Sequence, residues 1–227
     1  MAPKKVYSSA DSALHDVFEG AVVLIGGFAG CGTPEGLLRA LYRKGVRGLT
    51  CICQGAWTGP DATFDVAHLV AAGQVRKLVS PLPVYPGAGG PVDEAWKSGQ
   101  LEVEVVPQGV LAERLRAAGA GLGGVFLPVT MGPRFQERKE RRSLGGQECL
   151  LELPLRADFA LLRAHAADIL GNLVYRGTQR NWNPVMAMAA RVSIAEVDQI
   201  CELGDLDPES VATPGIFVHR VVQVGGS

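Results

Sequence analysis

Residues 22–36 read VVLIGGFAGCGTPEG, and the order of chemistry in this stretch sets the architecture. Val22 to Ile25 are apolar without alternation, the mark of a strand buried on both faces. They run into Gly26, Gly27, Gly30 and Gly32, which free the backbone for positive φ or for a close approach. Pro34 then suits the first turn of a helix, and LLRALYRKG at 37–45 places apolar residues at helical spacing with Gly45 as the stop. A buried strand, a glycine loop and a helix open a parallel α/β unit.

The same alternation continues outward. Upstream, SSADSALHDVF (8–18) reads as a short capped helix. Downstream, LTCICQG (49–55) is a second buried strand, DATFDVAHLVAAG (61–73) a helix and VRKLVS (75–80) a third strand. VDEAWKSG (92–99) is helical, LEVEVVPQG (101–109) extended, VLAERLRAAGAG (110–121) helical and GGVFLPV (123–129) extended. The basic stretch RFQERKERRSLGGQECLLEL (134–153) reads as an exposed hairpin turning at Gly145-Gly146. Later come a helix over NPVMAMAARV (183–192) and strands over SIAEVDQI (193–200) and GIFVHRVVQV (215–224). The expectation is one α/β domain over residues 1–227, an open and mainly parallel sheet with helices on its faces.

Composition narrows the function. The 227 residues are 47% hydrophobic and 20% charged, with a net charge of -1, which gives no basis for binding nucleic acid or a membrane surface. No apolar run approaches the roughly 18 residues of a membrane span. MAPKKVYSSADSALHDVF has no apolar signal-peptide core, so a cytoplasmic location is expected. The five cysteines (31, 51, 53, 149, 201) fit reduced thiols rather than a disulfide framework. Cys51 and Cys53 face the same way on a strand, but no second cluster completes a metal site, so they read as buried thiols and no metal is expected.

The glycine loop fails the usual phosphate patterns. No lysine follows it before Lys44, as a Walker loop requires, and Gly27, Gly30 and Gly32 are spaced G-x-x-G-x-G, the reverse of a Rossmann fingerprint. What remains is general: glycines allow close approach, and a following helix offers N–H groups to an anion. A tight strand-to-helix connection without ligand accounts for the residues equally well.

The pattern around the loop resembles the signature of the α subunit of family I coenzyme A (CoA) transferases, the acetate and 3-oxoacid CoA-transferases. That signature is an Asp/Asn-Gly turn, an apolar triplet, then GGF, three residues, Gly, one residue and Pro. Here it reads Glu19-Gly20, Val23-Leu24-Ile25, Gly26-Gly27-Phe28, Gly32 and Pro34, with Glu19 the one departure. Residues 98–124, 154–190 and 204–222 resemble further blocks of the family in the same order.

The resemblance implies a CoA-transferase-like fold and a CoA thioester as substrate, with no permanently bound cofactor. It implies ping-pong transfer of CoA from an acyl-CoA or succinyl-CoA-type donor to a short-chain or 3-oxo carboxylic acid through a glutamyl-CoA thioester. The family's glutamate lies in a Ser-Glu-Asn-Gly stretch of a separate β subunit; this chain has no such stretch. A β partner, in an α2β2 assembly, is therefore expected. Gly26, Gly27, Phe28, Ala29, Gly30, Cys31 and Gly32 become the CoA-associated segment. Gln108, which alone reads as the end of a strand and the cap of a helix, takes the position of an amide donor to the oxyanion. Asn181 and Asn183 in RNWNP read as a capping turn, and Glu113 and Arg114 as solvated.

Two loops depart from the family: Gln54-Gly55-Ala56-Trp57, and Leu127-Pro128-Val129-Thr130-Met131-Gly132-Pro133. SPLPVYPGAGGPVDEAW (80–96) is also stiffened by proline. These changes bear on specificity and leave open a CoA-thioester hydrolase or ring-opening enzyme on the same scaffold. A non-catalytic effector-binding module is the remaining alternative, and no basic helical segment precedes residue 20 to support it.

Overall fold

A computed structural model describes residues 5–56, 63–84, 89–128 and 139–224. The chain begins with strand β1 (Val6–Tyr7) and helix α1 (Ala10–Ala13), then β2 (Val22–Ile25) and α2 (Glu35–Lys44). Next come β3 (Leu49–Ile52), α3 (Val66–Ala71), β4 (Val75–Ser80), α4 (Pro91–Lys97) and β5 (Glu102–Val105). Helix α5 (Gln108–Gly119) leads to β6 (Val125–Pro128), β7 (Arg141–Leu144) and β8 (Gln147–Glu152). The last third holds β9 (Ala157–Asp168), β10 (Leu173–Val174), α6 (Asn183–Ala189), β11 (Ala190–Cys201) and β12 (Arg220–Gln223).

The main sheet runs β1-β12-β11-β9-β2-β3-β4-β5, every neighbouring pair parallel, with β10 added antiparallel to β9. From β2 the chain steps outward through β3, β4 and β5; from β9 it steps the other way through β11 and β12. The order therefore reverses between β2 and β9, the place where open α/β sheets form a ligand crevice. Helices cover both faces. Leu14, which follows α1, Leu37, Leu38 and Leu41 of α2 and Leu69 of α3 pack on one side. Leu111, Leu115, Met186 and Ala187 from α5 and α6 pack on the other. A small antiparallel sheet, β6-β8-β7, stands apart from the main one.

Local chemistry explains the helix ends. Ser9 and Ser12 form a reciprocal capping box at α1, and Gly45, at φ 74°, ends α2 in the left-handed conformation. Asp65 caps α3, while His68 accepts from the Asp65 N–H and stacks on Phe64 at 4.1 Å. The expected hairpin turns at Gly145-Gly146, with φ 58° and 81°. Residues 57–62, 85–88 and 129–138, which include Trp57, the middle of the proline-rich loop and most of the second departing loop, lie outside the described residues.

Three expectations are corrected. The helix expected over 183–192 stops at Ala189, because Ala190 and Val192 pair with Ala157 and Phe159 of β9. Sheet pairing and the β-branched Val192 prevail there over helical periodicity. The strand expected over 215–224 is confined to Arg220–Gln223, and Gly215–Phe217 is a 3₁₀ turn. Asn172 Oδ1 accepts from the Gly215 N–H at 2.7 Å, and a Cβ there would lie 2.3 Å from the Leu170 carbonyl oxygen. Finally, the N-terminus of α2 is not open to an external anion. The Leu37 N–H donates at 2.7 Å to Glu196, a β11 carboxylate that is only 2% exposed.

Glu196 also accepts from Arg163 at 3.3 Å, and Arg163 bonds Asp198, whose other oxygen meets His165 at 2.9 Å. Burial nevertheless pushes the Glu196 carboxyl up to about 7, against the lowering effect of the Leu37 N–H and Arg163. Because the folded value lies above the ordinary 4.5, the fold favours the protonated acid. That contribution is complete below pH 4.5 and is lost as pH rises through about 7, an effect of about 3 kcal/mol. The stability of wild type relative to Glu196→Gln should fall between pH 5 and pH 8 in thermal melts. A difference that does not change with pH would refute this assignment.

Candidate active site

The glycine loop lies where the sheet order reverses. The Gly26 N–H donates to the Leu161 carbonyl of β9 at 2.9 Å, continuing the sheet one residue past β2. The chain then turns in a tight hairpin: Phe28 and Cys31 exchange two backbone hydrogen bonds of 2.9 Å. Ala29 and Gly30 at its tip have φ of 47° and 83°, the signs of a type I′ turn. Ala29 is the one non-glycine residue in the left-handed region among the described residues, a strain of about 1 kcal/mol.

Two asparagines anchor this hairpin. Asn183, fully buried at the start of α6, accepts from the Arg163 N–H at 3.0 Å. Its amide donates to the carbonyls of Gly32 at 3.2 Å and Gln179 at 2.7 Å. Asn181 donates to the Cys31 carbonyl at 3.0 Å and to Thr178 O at 2.6 Å. The group approaching the glycines is thus a side chain of the protein itself. A Cβ on Gly26 would sit 1.9 Å from Asn183 Oδ1, and one on Gly32 would sit 2.8 Å from the Gln179 carbonyl oxygen. The capping role expected of Asn183 is corrected: it is the first residue of α6, and no side chain caps that helix.

The seven residues of the expected CoA segment therefore divide. Gly26, Gly27 and Gly32 are buried and hold the turn, while Phe28, Ala29, Gly30 and Cys31 reach the surface. On the inner side, toward Cys53, Gln54 and Asp65, the cavity is about 20 Å³, room for one water molecule. The outer side is different. Phe28, 41% exposed, shares an open cleft of about 590 Å³ with Gln108, Asn181 and Trp182.

Gln108 is exposed and opens α5 after Pro107, whose φ of −53° and ψ of 140° turn the chain from β5 into the helix. Two segments 80 residues apart in sequence thereby meet in one cleft. Its floor is apolar, formed by α5 and α6. Glu113 also lines it and is held by Arg116 at 2.7 Å. Sequence reasoning misses Trp182 and the anchoring role of Asn183. Two asparagines flanking a tryptophan ahead of a helix are the available signal.

Cys51 and Cys53 are both buried, and burial raises both thiols, Cys51 to about 12. They are neutral at physiological pH. Among the described residues, no group of three His, Cys, Asp or Glu side chains could hold a metal ion, and no helix is long and apolar enough to cross a membrane.

Comparison with known proteins identifies the family. The coenzyme A transferase family matches residues 7–224. The chain is 47% identical to a subunit of the 3-oxoadipate CoA-transferase of Pseudomonas putida, over 98% of this chain and 95% of that one. It is 44% identical to a subunit of the succinyl-CoA:3-ketoacid coenzyme A transferase of Xanthomonas campestris pv. campestris, over 97% of this chain and 89% of that one. The crystal structure of an acyl-CoA transferase apoenzyme from Escherichia coli O157:H7 superposes with a TM-score of 0.84 at 22% identity, covering 99% of this chain and 48% of that chain. The present chain thus spans about half the length of that structure, which shares its fold. The chain belongs to the coenzyme A transferase family, as an α-type subunit of a CoA-transferase.

The Gly26–Asn183 contact makes a quantitative prediction. Gly26→Ala should cost about 3 kcal/mol through overpacking, and Asn183→Ala a similar amount through unsatisfied buried partners. The double variant should lose less than the sum by about 1 kcal/mol or more, because removing the carboxamide makes room for the new methyl. Urea denaturation of all four proteins measures the coupling; additive losses would show that the two residues do not constrain each other.

Proposed function

We propose that this chain is the α subunit of a two-subunit CoA-transferase that moves CoA from an acyl-CoA to a short-chain or 3-oxo carboxylic acid. The observation that carries the reading is the cleft, which combines an exposed amide donor, Gln108, with the Phe28 hairpin and lies open at the surface. The carboxylate lining it, Glu113, is engaged by Arg116 rather than presented to a substrate. The relatives are named as subunits, which supports a partner that closes the cleft and supplies the nucleophile.

In this reading a glutamate of the β partner attacks the thioester carbonyl carbon, and the C–S bond breaks to release CoA thiolate and an acyl-glutamyl anhydride. The thiolate attacks the glutamyl carbonyl and expels the donor acid as its carboxylate, leaving a glutamyl-CoA thioester. The acceptor carboxylate then repeats the two exchanges in reverse. Each tetrahedral intermediate carries its charge on the former carbonyl oxygen. The Gln108 amide donates to that oxygen without adding a charge that would quench the nucleophile. The hairpin tip, Phe28 to Cys31, lies against the CoA side of the thioester.

The isolated chain should transfer no CoA, and reconstitution with the β partner should restore transfer. Gln108→Ala in the complex should lower kcat by about 100- to 1000-fold with little change in donor KM. Gln108→Glu should be at least as damaging, since it places an acceptor and a negative charge beside the oxyanion. Turnover by the isolated chain would overturn the split site, and near-normal kcat in both variants would overturn the role of Gln108. Release of free CoA without an acceptor acid would instead identify a hydrolase.

A further inference from the structure

The segment that anchors the glycine hairpin carries two cations that the fold does not neutralise. The 3₁₀ turn Gly177–Arg180 follows Arg176 and ends in Arg180, and both arginines are exposed. Other arginines of the region are taken up by carboxylates. Arg163 is held by Glu196 and Asp198, and Arg39 meets Glu35 at 3.6 Å while lying over the Phe64 ring. Arg176 and Arg180 make no ion pair among the described residues. Like charges on one short turn repel, and an anion placed between them removes that repulsion.

The turn is fixed against the hairpin. Thr178 Oγ1 lies 2.9 Å from Cys31 Sγ, and Asn181, the residue after Arg180, donates to the Cys31 carbonyl at 3.0 Å. The Gln179 carbonyl oxygen is the atom that a Cβ on Gly32 would meet at 2.8 Å. Arg180 therefore stands between Gln179, packed on the hairpin, and Asn181, which lines the cleft. The anion site that a glycine loop usually offers is closed here, because Glu196 occupies the N-terminus of α2. An anionic ligand at this hairpin must draw its cations from another element.

Resting on the CoA-transferase reading, we infer that Arg176 and Arg180 receive phosphate groups of CoA, so that this chain holds the far end of the donor as well as its thioester. CoA carries a diphosphate and a 3′-phosphate, joined to its thiol by an uncharged pantetheine arm. The cleft suits the thiol end and the arm: its floor is apolar, its amide is neutral, and its arginine, Arg116, is already engaged by Glu113. The phosphates need charge that the cleft does not offer, and the turn at its edge supplies it. A guanidinium presents a planar fork of N–H donors that matches phosphate oxygens. Unpaired and exposed, the two arginines also attract a polyanion before contact, an effect that salt weakens.

The test uses the complex reconstituted with its β partner and three donors sharing one acyl group: succinyl-CoA, its 3′-dephospho form and succinyl-pantetheine. Acetate, acetoacetate and 3-oxoadipate serve as acceptors. Arg176→Gln and Arg180→Gln should each lower kcat/KM for succinyl-CoA by about 10-fold, mainly through KM. Both should leave succinyl-pantetheine within about threefold, since the variant and the truncated donor remove the same contact. CoA and pantetheine as competing inhibitors give the same comparison from binding alone. A loss confined to succinyl-CoA assigns the pair to the 3′-phosphate, and a loss shared with the dephospho form assigns it to the diphosphate; either supports the inference. Melting temperatures should not change, as expected of exposed side chains. Equal losses for succinyl-CoA and succinyl-pantetheine, or no loss, would overturn the inference while CoA transfer stands. Weakened assembly with the β partner at an unchanged donor preference would overturn it too, placing the arginines in the subunit interface. If the wild-type complex transfers CoA to none of the three acids, the CoA-transferase reading itself fails.

Discussion

The buried carboxamide of Asn183 is the constraint on which the cleft depends. Its oxygen takes the Arg163 N–H from the central strand β9, and its nitrogen holds the Gly32 and Gln179 carbonyls. Arg163 presents its N–H just beyond the point where β2 ends, so one side chain ties the sheet, the hairpin and the start of α6 together. With no solvent to replace a lost partner, each of these bonds is expensive to leave unmade. The glycines at 26 and 32 follow from that packing, because a side chain at either position would occupy the space of the anchor. The exposed tip can then hold the positive φ of Ala29.

Electrostatics divides the two faces of the same region. On the α2 face, Glu196 fills the helix N-terminus and Arg163, Asp198 and His165 continue the network. The positive end of the α2 dipole is satisfied internally, and any anion at the loop must find other partners. On the α5 face, the groups presented outward are a neutral amide, an aromatic ring and an arginine–glutamate pair. A neutral donor is suited to chemistry in which both the nucleophile and the intermediate are anionic.

Much of this is legible in the sequence, and the reasons are local. The apolar run Val22–Ile25 and the stop at Gly45 need no tertiary information, and the order of strands and helices follows from alternation. Gln108 and the glycine loop are placed by resemblance to the family; spacing alone does not connect them. Ala190–Val192 carry a helical pattern that loses to pairing with β9, and Gly215–Phe217 leave the strand because Leu170 and Asn172 reshape the chain there. Asn183 looks like a cap because its partners lie at positions 32 and 163, and no one-dimensional pattern registers such contacts. The raised carboxyl of Glu196 is invisible for the same reason: it reads as one more polar residue in a strand.

The Asn183–Gly32 bond also fixes an order of events. Its two residues are separated by 151 positions, and β2 finds its inner neighbour, β9, only after the chain has passed through β8. During synthesis, β2, β3, β4 and β5 can align among themselves while one flank of β2 is still unpaired. The glycine hairpin cannot acquire its anchored form until residue 183 has been made. Contacts this distant in sequence are the slow ones to form. The loop that comes first in the chain is therefore completed late, and a nascent chain carries an unfinished cleft through most of its translation.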